Sequence, residues 1–366
     1  MAKKKKNFSS FVNNPVDFTL LITILLLLAI GLTMVLSASS PSALSETGNS
    51  YSFFSKQLFF AVVGLAFMMF ISKVDYRFYK KFYKHSWWIA LALLLLVLVA
   101  GKTINGAKRW LYLTDSLSFQ PSEVVKLLMI IFYAGILVKN RDELSKYGKG
   151  FIKHIIFLVP IIGLLLLEPH FSASIVIITI VSVMMIMAGC KFWHFIATGG
   201  TVGLLGVIAL IVKEPYRLQR VVTFLDPWKD ATGTGWQVIQ SLYAIGSGGL
   251  FGLGLGESKQ KYLYIPEPHN DFIFSILGEE LGFIGCAVVL ILFAVFIWRG
   301  ILIAMKAPDM FGSLIAIGIT TLVAIQVIIN VAVVTSSMPA TGMPLPFFSY
   351  RRNSTYDFIM RNGSVA

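Results

Sequence analysis

Charge and cysteine are both scarce in this sequence, and each scarcity excludes a class of protein. Only 13% of the 366 residues are charged, 56% are hydrophobic, and the mean hydropathy is +0.77. Soluble domains carry about 25% charged residues, so a soluble two-domain protein is excluded and a polytopic membrane protein is indicated. The two cysteines, Cys190 and Cys286, fall near the end of one apolar run and inside another. They make no disulfide framework and no metal-ligand spacing. The histidines, His85, His154, His170, His194 and His269, contain no HExxH pattern, so structural zinc has no support. No cleavable leader is expected, because the first apolar run is of full spanning length and lacks a small-residue cleavage site.

What is present is a series of apolar runs, at 17–37, 57–72, 86–100, 121–138, 151–168, 171–189, 192–213, 277–298 and 311–335. Most are close to the ~20 residues that a hydrocarbon core requires. The shorter runs, 57–72 and 86–100, borrow aromatic and lysine flanks, which makes nine spans. Alternate connections differ in basic residues. One set holds Lys3–Lys6, then Lys73, Arg77, Lys80, Lys81 and Lys84, then Lys139, Arg141, Lys146, Lys149 and Lys153, then Lys191, Arg299 and Lys306. The other holds fewer, spread over more residues, so the N-terminus is expected in the cytoplasm and residues 213–271 outside. Trp87, Trp88, Trp193 and Trp298 then fall at the inner interface and Trp110 at the outer one. The net charge of +13 follows from loops that set orientation and meet anionic lipid, and nucleic acid is not an expected partner.

Residues 213–271 read as a long, glycine-rich, water-facing loop. Its run from Gly246 to Gly256 lacks the preceding strand and the following Gly-Lys-Ser/Thr of a nucleotide loop. It reads instead as irregular or re-entrant backbone that approaches lipid or helices closely. The loop ends in Pro266-Glu267-Pro268-His269-Asn270-Asp271, which sets a carboxylate at the entrance of a hydrophobic span. Acids at such a depth are functional candidates. From Asp271 to Trp298 a straight helix would measure roughly 42 Å, well beyond the core, so either Asp271 stands at head-group level or the helix breaks near Gly278. Glu279 and Glu280 fall just inside the apolar layer and need partners, with Lys126 or a loop arginine as candidates. Pro121 suits a first helical turn, and Glu123 and Lys126, three residues apart, share one face. They either neutralise each other or line a polar cavity.

Several ordered motifs carry a resemblance. They are Gln120-Pro121-Ser122-Glu123 with Lys126; Arg217-Leu218-Gln219-Arg220 leading to Phe224-Leu225-Asp226-Pro227-Trp228; Gly233-x-Gly235-Trp236-Gln237; and Phe251-Gly252-x-Gly254-x-Gly256. Pro266-Glu267-x-His269-x-Asp271, Gly278-Glu279-Glu280-Leu281-Gly282 and Thr341-Gly342-Met343-Pro344-Leu345-Pro346-Phe347-Phe348-Ser349-Tyr350 follow. Together they resemble the SEDS family of shape, elongation, division and sporulation proteins, over essentially the whole chain up to Tyr350.

The resemblance implies an all-α polytopic membrane protein, a SEDS-type bundle with ten transmembrane helices in the family and nine complete here, in one membrane domain over 1–350. It implies a peptidoglycan glycosyltransferase in the bacterial cytoplasmic membrane, polymerising lipid II with a class B penicillin-binding protein as partner. Asp271 carries over as the proposed catalytic aspartate, and Glu123 and Lys126 as cavity residues. The chemistry suits them: a sugar hydroxyl attacks the anomeric carbon as pyrophosphate leaves, so a carboxylate serves as general base and positive charge stabilises the leaving group. Arg109, Lys126, Arg217 and Arg220 are the basic groups on that side, with His269 and Glu279 beside the acid; a divalent cation, Mg²⁺ or Mn²⁺, held by Asp271 is also consistent, and the metal is left open.

Two departures stand out. Glu168-Pro169-His170-Phe171 has His170 where many members have an aspartate. At Arg351 the family's Gly-Gly and tenth span give way to Arg351-Arg352-Asn353-Ser354. A frameshift is expected to account for residues 351–366, because back-translation read one base later, with suitable synonymous codons, restores Gly-Gly and the start of an apolar helix. Two rival functions remain open. Polar residues inside a bundle could line the path of a lipid II flippase or lipid-linked sugar transporter, although no inverted repeat is evident; or the chain could be a non-catalytic scaffold for a transpeptidase.

Overall fold

The computed structural model of the chain describes residues 16–104, 107–114, 117–198, 223–231, 233, 235–262 and 270–349. Among the described residues eight helices are, by length and composition, able to cross a membrane. In chain order the helices are α1 (Phe18–Thr47), α2 (Ser52–Ile71), α3 (Arg77–Ala100), α4 (Pro121–Lys139), α5 (Lys153–Leu167, entered through a π-helical turn at Tyr147–Ile152) and α6 (Phe171–Ala188). The short helices α7 (Phe192–Thr198) and α8 (Trp236–Gly248) precede α9 (Ile273–Lys306) and α10 (Met310–Val334). In lipid each backbone N–H and C=O must bond within its own segment, so the apolar runs become helices whatever their residue propensities. Local signals set the ends. Asp17 accepts a hydrogen bond from the Leu20 amide at 3.0 Å and Asp309 one from Gly312 at 2.8 Å, while Gly48 closes α1 in the left-handed conformation.

Eight expected spans therefore coincide with helices, most of them longer than the apolar runs. The ninth, 192–213, is described only over α7, and its remainder and residues 351–366 lie outside the described residues. Val125, Met129, Ile130 and Tyr133 of α4 are buried, and α4 packs against α3, α6 and α10, which sets it inside the bundle. At the opposite extreme α2 buries only Phe53 and turns Phe59, Phe60, Phe67 and Phe70 outward, as a helix bathed in lipid would.

The expectation of an all-helical chain needs one addition. Between α3 and α4 lies a small antiparallel sheet of β1 (Lys102–Ile104), β2 (Ala107–Thr114) and β3 (Leu117–Phe119), with β2 in the middle and Lys102 opposite Trp110, Leu111 opposite Phe119. β1 and β3, of three residues each, are too short for alternating hydrophobicity to show in a sequence, and β2, Ala-Lys-Arg-Trp-Leu-Tyr-Leu-Thr, does not alternate strictly.

The segment 213–271 also differs from the open loop expected of it. Its helix α8 buries Val238, Ile239, Gln240, Ser241 and Ala244, and Ser241 Oγ donates to the Val334 carbonyl at 2.9 Å. The glycine-rich run that follows docks by its backbone onto a break in α9. Leu253 and Gly254 amides donate to Glu279 and Glu280 carbonyls at 2.9 and 3.1 Å, and Phe283 and Ile284 amides to Gly249 and Leu250 carbonyls at 2.9 and 3.2 Å. The break is at Gly282 (φ 66°, ψ −165°) rather than near Gly278. The reason is mutual: a helix interrupted at membrane depth must have its freed groups bonded by protein, and a Cβ on Gly252 or Gly282 would collide with the facing backbone.

Polar contacts sort to the two ends. At one end, carrying the starts of α1, α3 and α10 and the end of α9, Arg299 pairs with Asp17 at 2.5 Å, and Tyr76 and Arg77 meet Asp309 at 3.1 and 3.6 Å. The other end gathers the sheet, the start of α4, the α5–α6 connection, α8, the start of α9 and the chain after α10.

Candidate functional site

The site begins at the first turn of α4. Pro121 occupies the first helical position, where the missing N–H costs nothing. One turn on, Lys126 Nζ lies 2.7 Å from Glu123 Oε2, with the lysine side chain 1% and the glutamate 38% exposed. The buried ammonium is thus held by a carboxylate whose outer edge remains open, and removing either partner would leave an uncompensated charge in the bundle.

Beside α4 stand the sheet and the α5–α6 connection. Arg109 on β2 donates through Nε to the Glu168 carbonyl at 3.4 Å and through Nη2 to the Pro169 carbonyl. Glu168, just past the last residue of α5, is buried, and burial pushes its carboxyl up to about 8 against the opposing charge of Arg109. His170 Nε2 faces Gln120 Nε2 at 3.4 Å, and Ser172 Oγ donates to the Thr341 carbonyl at 2.7 Å. Thr341 brings in the chain after α10.

Asp271 completes the row. It is half-buried immediately before α9, while Phe272 and Ile273 behind it are fully buried. Asn330 of α10 donates its side-chain amide to the Asp271 carbonyl and to the Met343 carbonyl, each at 2.8 Å. Between them Gly342 holds φ 67°, and a Cβ there would lie 3.7 Å from Asp271 Oδ2. A continuous row of contacts therefore runs from Arg109 past Gln120 and Ser172 to Asp271. Gln120 Oε1, Ser122 Oγ, Asn330 Oδ1 and Thr341 Oγ1 are buried with no hydrogen-bond partner among the described residues. Buried polar atoms are normally satisfied, so these atoms suit water or a polar substrate.

Of the residues expected at the site, Asp271, Glu123, Lys126 and Arg109 stand at one end of the bundle. Glu279 does not join them. It accepts from Ser258 Oγ at 2.5 Å and the Lys259 amide at 2.9 Å, while Glu280 takes Lys261 Nζ at 3.1 Å and Ser37 Oγ at 2.6 Å. The candidate partners, Lys126 or a loop arginine, are replaced by Lys261 for Glu280 and by Ser258 and backbone amides for Glu279, because the segment after the docked glycine run brings residues 258–261 to the break in α9. Arg217, Arg220 and His269 lie outside the described residues. Asn330 was missed, although an amide side chain in the apolar run 311–335, which holds only those of Gln326 and Asn330, is itself a signal.

An α-helical multi-pass membrane protein with its polar side chains ranked along one end of the bundle is the class that fold and site define. A family profile described as "Cell cycle protein", FtsW/RodA/SpoVE, matches residues 18–365, and the chain belongs to that family. It is 43% identical over 349 residues to Stage V sporulation protein E of Bacillus subtilis, covering 95% of each chain. It is 40% identical to a probable peptidoglycan glycosyltransferase FtsW of Trichlorobacter lovleyi, covering 92% of this chain and 89% of that one. Among solved structures, a chain of a peptidoglycan synthase complex matches with a TM-score of 0.76 at 28% identity, over 95% and 96% of the two chains. The crystal structure of Thermus thermophilus rod shape determining protein RodA matches with a TM-score of 0.67 at 26% identity, over 95% of both.

Proposed function

We propose that this protein is a peptidoglycan glycosyltransferase that polymerises lipid II at the outer face of the bacterial cytoplasmic membrane, with its N-terminus in the cytoplasm. The observation that carries the reading is the mounting of Asp271: a half-buried carboxylate at the end of the bundle away from most basic connections, with its main chain held by Asn330. A sugar hydroxyl forms the new bond to the anomeric carbon as the bond to the lipid pyrophosphate breaks, and the hydroxyl proton passes to Asp271. General-base help of this kind is worth about 10²- to 10⁴-fold. Lys126 and Arg109 are the described sources of positive charge for the leaving pyrophosphate, and Arg217, Arg220 and His269, outside the described residues, are the further candidates.

Among the described residues no three of His, Cys, Asp and Glu gather around a point that could hold a metal ion. The single carboxylate of Asp271 fits a Mg²⁺ or Mn²⁺ shared with substrate phosphates, since Mg²⁺ is commonly held by one or two carboxylates plus phosphate oxygens. Such an ion would neutralise the pyrophosphate as it departs. A class B penicillin-binding protein is the expected partner, packing a single span against the bundle where small residues permit close approach.

The test is polymer formation from purified lipid II by wild type and by Asp271→Asn, beside a flipping assay in the same vesicles. Loss of polymerisation by about 10²-fold or more in a variant that inserts and melts like wild type supports the assignment. Near-parental polymerisation moves the base to Glu123 or Glu267. Flipping without polymerisation by the wild-type protein with its partner present replaces the enzyme reading with transport.

A further inference from the structure

At the opposite end of the bundle from Asp271, a cleft of about 320 Å³ opens between α3, α4 and α5. Its walls are Trp87, Trp88, Phe132 and Phe157, and Lys84, Lys139 and Lys153 stand at its rim. Trp87 is anchored, donating its indole N–H to the Phe157 carbonyl at 2.9 Å and standing edge-on to the Phe157 ring. Tyr83 and Asn140 complete the lining, and Asn140 Nδ2 lies 3.3 Å from His154 Nε2. Nothing in the glycosyltransferase reading uses this cleft.

We propose that it is a binding site for an anionic phospholipid, with the head-group phosphate among the three ammonium groups and an acyl chain along the aromatic wall. The division of chemistry matches that ligand. Basic pockets between transmembrane helices hold acidic head groups, and indole rings take the boundary between polar head and hydrocarbon. An acid near the rim, Glu143, lies 3.7 Å from Lys153. It partly offsets Lys153, so Lys84 and Lys139, which belong to different helices and are both exposed, carry most of the attraction.

The chain holds seven tryptophans, so the readout is the part of the quenching that Trp87→Phe with Trp88→Phe removes. The full chain is reconstituted in nanodiscs containing brominated phosphatidylglycerol or brominated phosphatidylcholine at equal mole fraction, and tryptophan quenching is compared. The expected result is stronger quenching by phosphatidylglycerol, weakened by added salt. Lys84→Gln with Lys139→Gln should lower that preference by about tenfold or more, since a lysine at a membrane surface is worth about fivefold. Quenching by phosphatidylcholine should be unchanged in this variant, which reports that the fold is kept. Trp87→Phe with Trp88→Phe should leave only the background quenching of the other five tryptophans, and the lysine effect should vanish in that background. Equal quenching by the two lipids overturns the proposal, as does an excess that survives the double lysine change. Displacement of phosphatidylglycerol by undecaprenyl phosphate at a much lower mole fraction also overturns it, and assigns the cleft to the carrier lipid.

Discussion

Asn330 and Asp271 are joined through the backbone, not through the carboxylate: the Asn330 side-chain amide lies 2.8 Å from the Asp271 carbonyl and 2.8 Å from that of Met343. One polar side chain near the end of the last described helix thus sets both Asp271, two residues before α9, and the turn at Gly342 that faces its carboxylate.

Asn330→Leu should therefore impair polymerisation without removing any group that performs chemistry. A displacement of about 1 Å at a reacting group can cost 10²-fold, so kcat should fall by roughly 10- to 100-fold while lipid II binding changes less. The two carbonyls left without a donor should also lower stability by about 1–3 kcal/mol. Polymerisation rates measured across lipid II concentrations, set beside thermal melting in detergent, separate the two effects; an unaltered kcat would show that the clamp is dispensable.

Lys261 and Glu280 are both buried, their charged atoms 3.1 Å apart. Lys261→Met leaves a carboxylate stranded beside Ser37 and should destabilise the protein by about 3–5 kcal/mol. Adding Glu280→Gln should recover most of that loss, because no unpaired charge then remains. Melting temperatures of the two single variants and the double variant test the coupling, which fails if the double variant is as unstable as Lys261→Met.

Gly282 holds the break in α9 at a positive φ, with the backbone of Leu250 and Gly252 where a side chain would be. Gly282→Ala should undock the glycine run, at a cost of at least about 1–3 kcal/mol for the backbone conformation alone. Limited proteolysis should then cut between Gly249 and Glu257 faster than in wild type. Equal cleavage rates would place the anchoring elsewhere.

Asp17, the residue that caps the start of α1, is partly desolvated, which pushes its pKa up, but its bonds to Arg299 and to the Leu20 and Thr19 amides together outweigh this and hold it below the usual carboxylate value of 3.8. A depressed carboxylate pKa stabilises the fold above the unfolded-state value, and that contribution is lost as pH falls through the folded-state value. Wild type should thus lose melting temperature below about pH 4 more steeply than Asp17→Asn, which keeps a good N-cap for α1 without the charge. Parallel pH profiles would remove the ion pair from the acid response.

The hydropathy runs were legible because a bilayer imposes one length and one backbone solution on each span, so that 121–138 and 311–335 became α4 and α10 with little change. Asp271 was legible as an acid at the edge of such a run. Lys261 was not, since its partner depends on how a glycine-rich segment folds back, and glycine carries no side-chain pattern to announce a docking site. Break placement failed for the same reason: Gly278 and Gly282 look alike until the backbone of Gly249–Gly254 is laid beside one of them.

By itself the sequence determined what a short window can encode: spans, helix caps, the alternation of basic connections and the ordered motifs of the family. Tertiary structure alone decided the pairs separated along the chain, Ser37 with Glu280 across 243 residues and Asp17 with Arg299 across 282. The physical reason is that hydrocarbon enforces local backbone bonding within each helix, whereas the partner of a buried polar side chain is selected only when distant helices pack and water is excluded from between them.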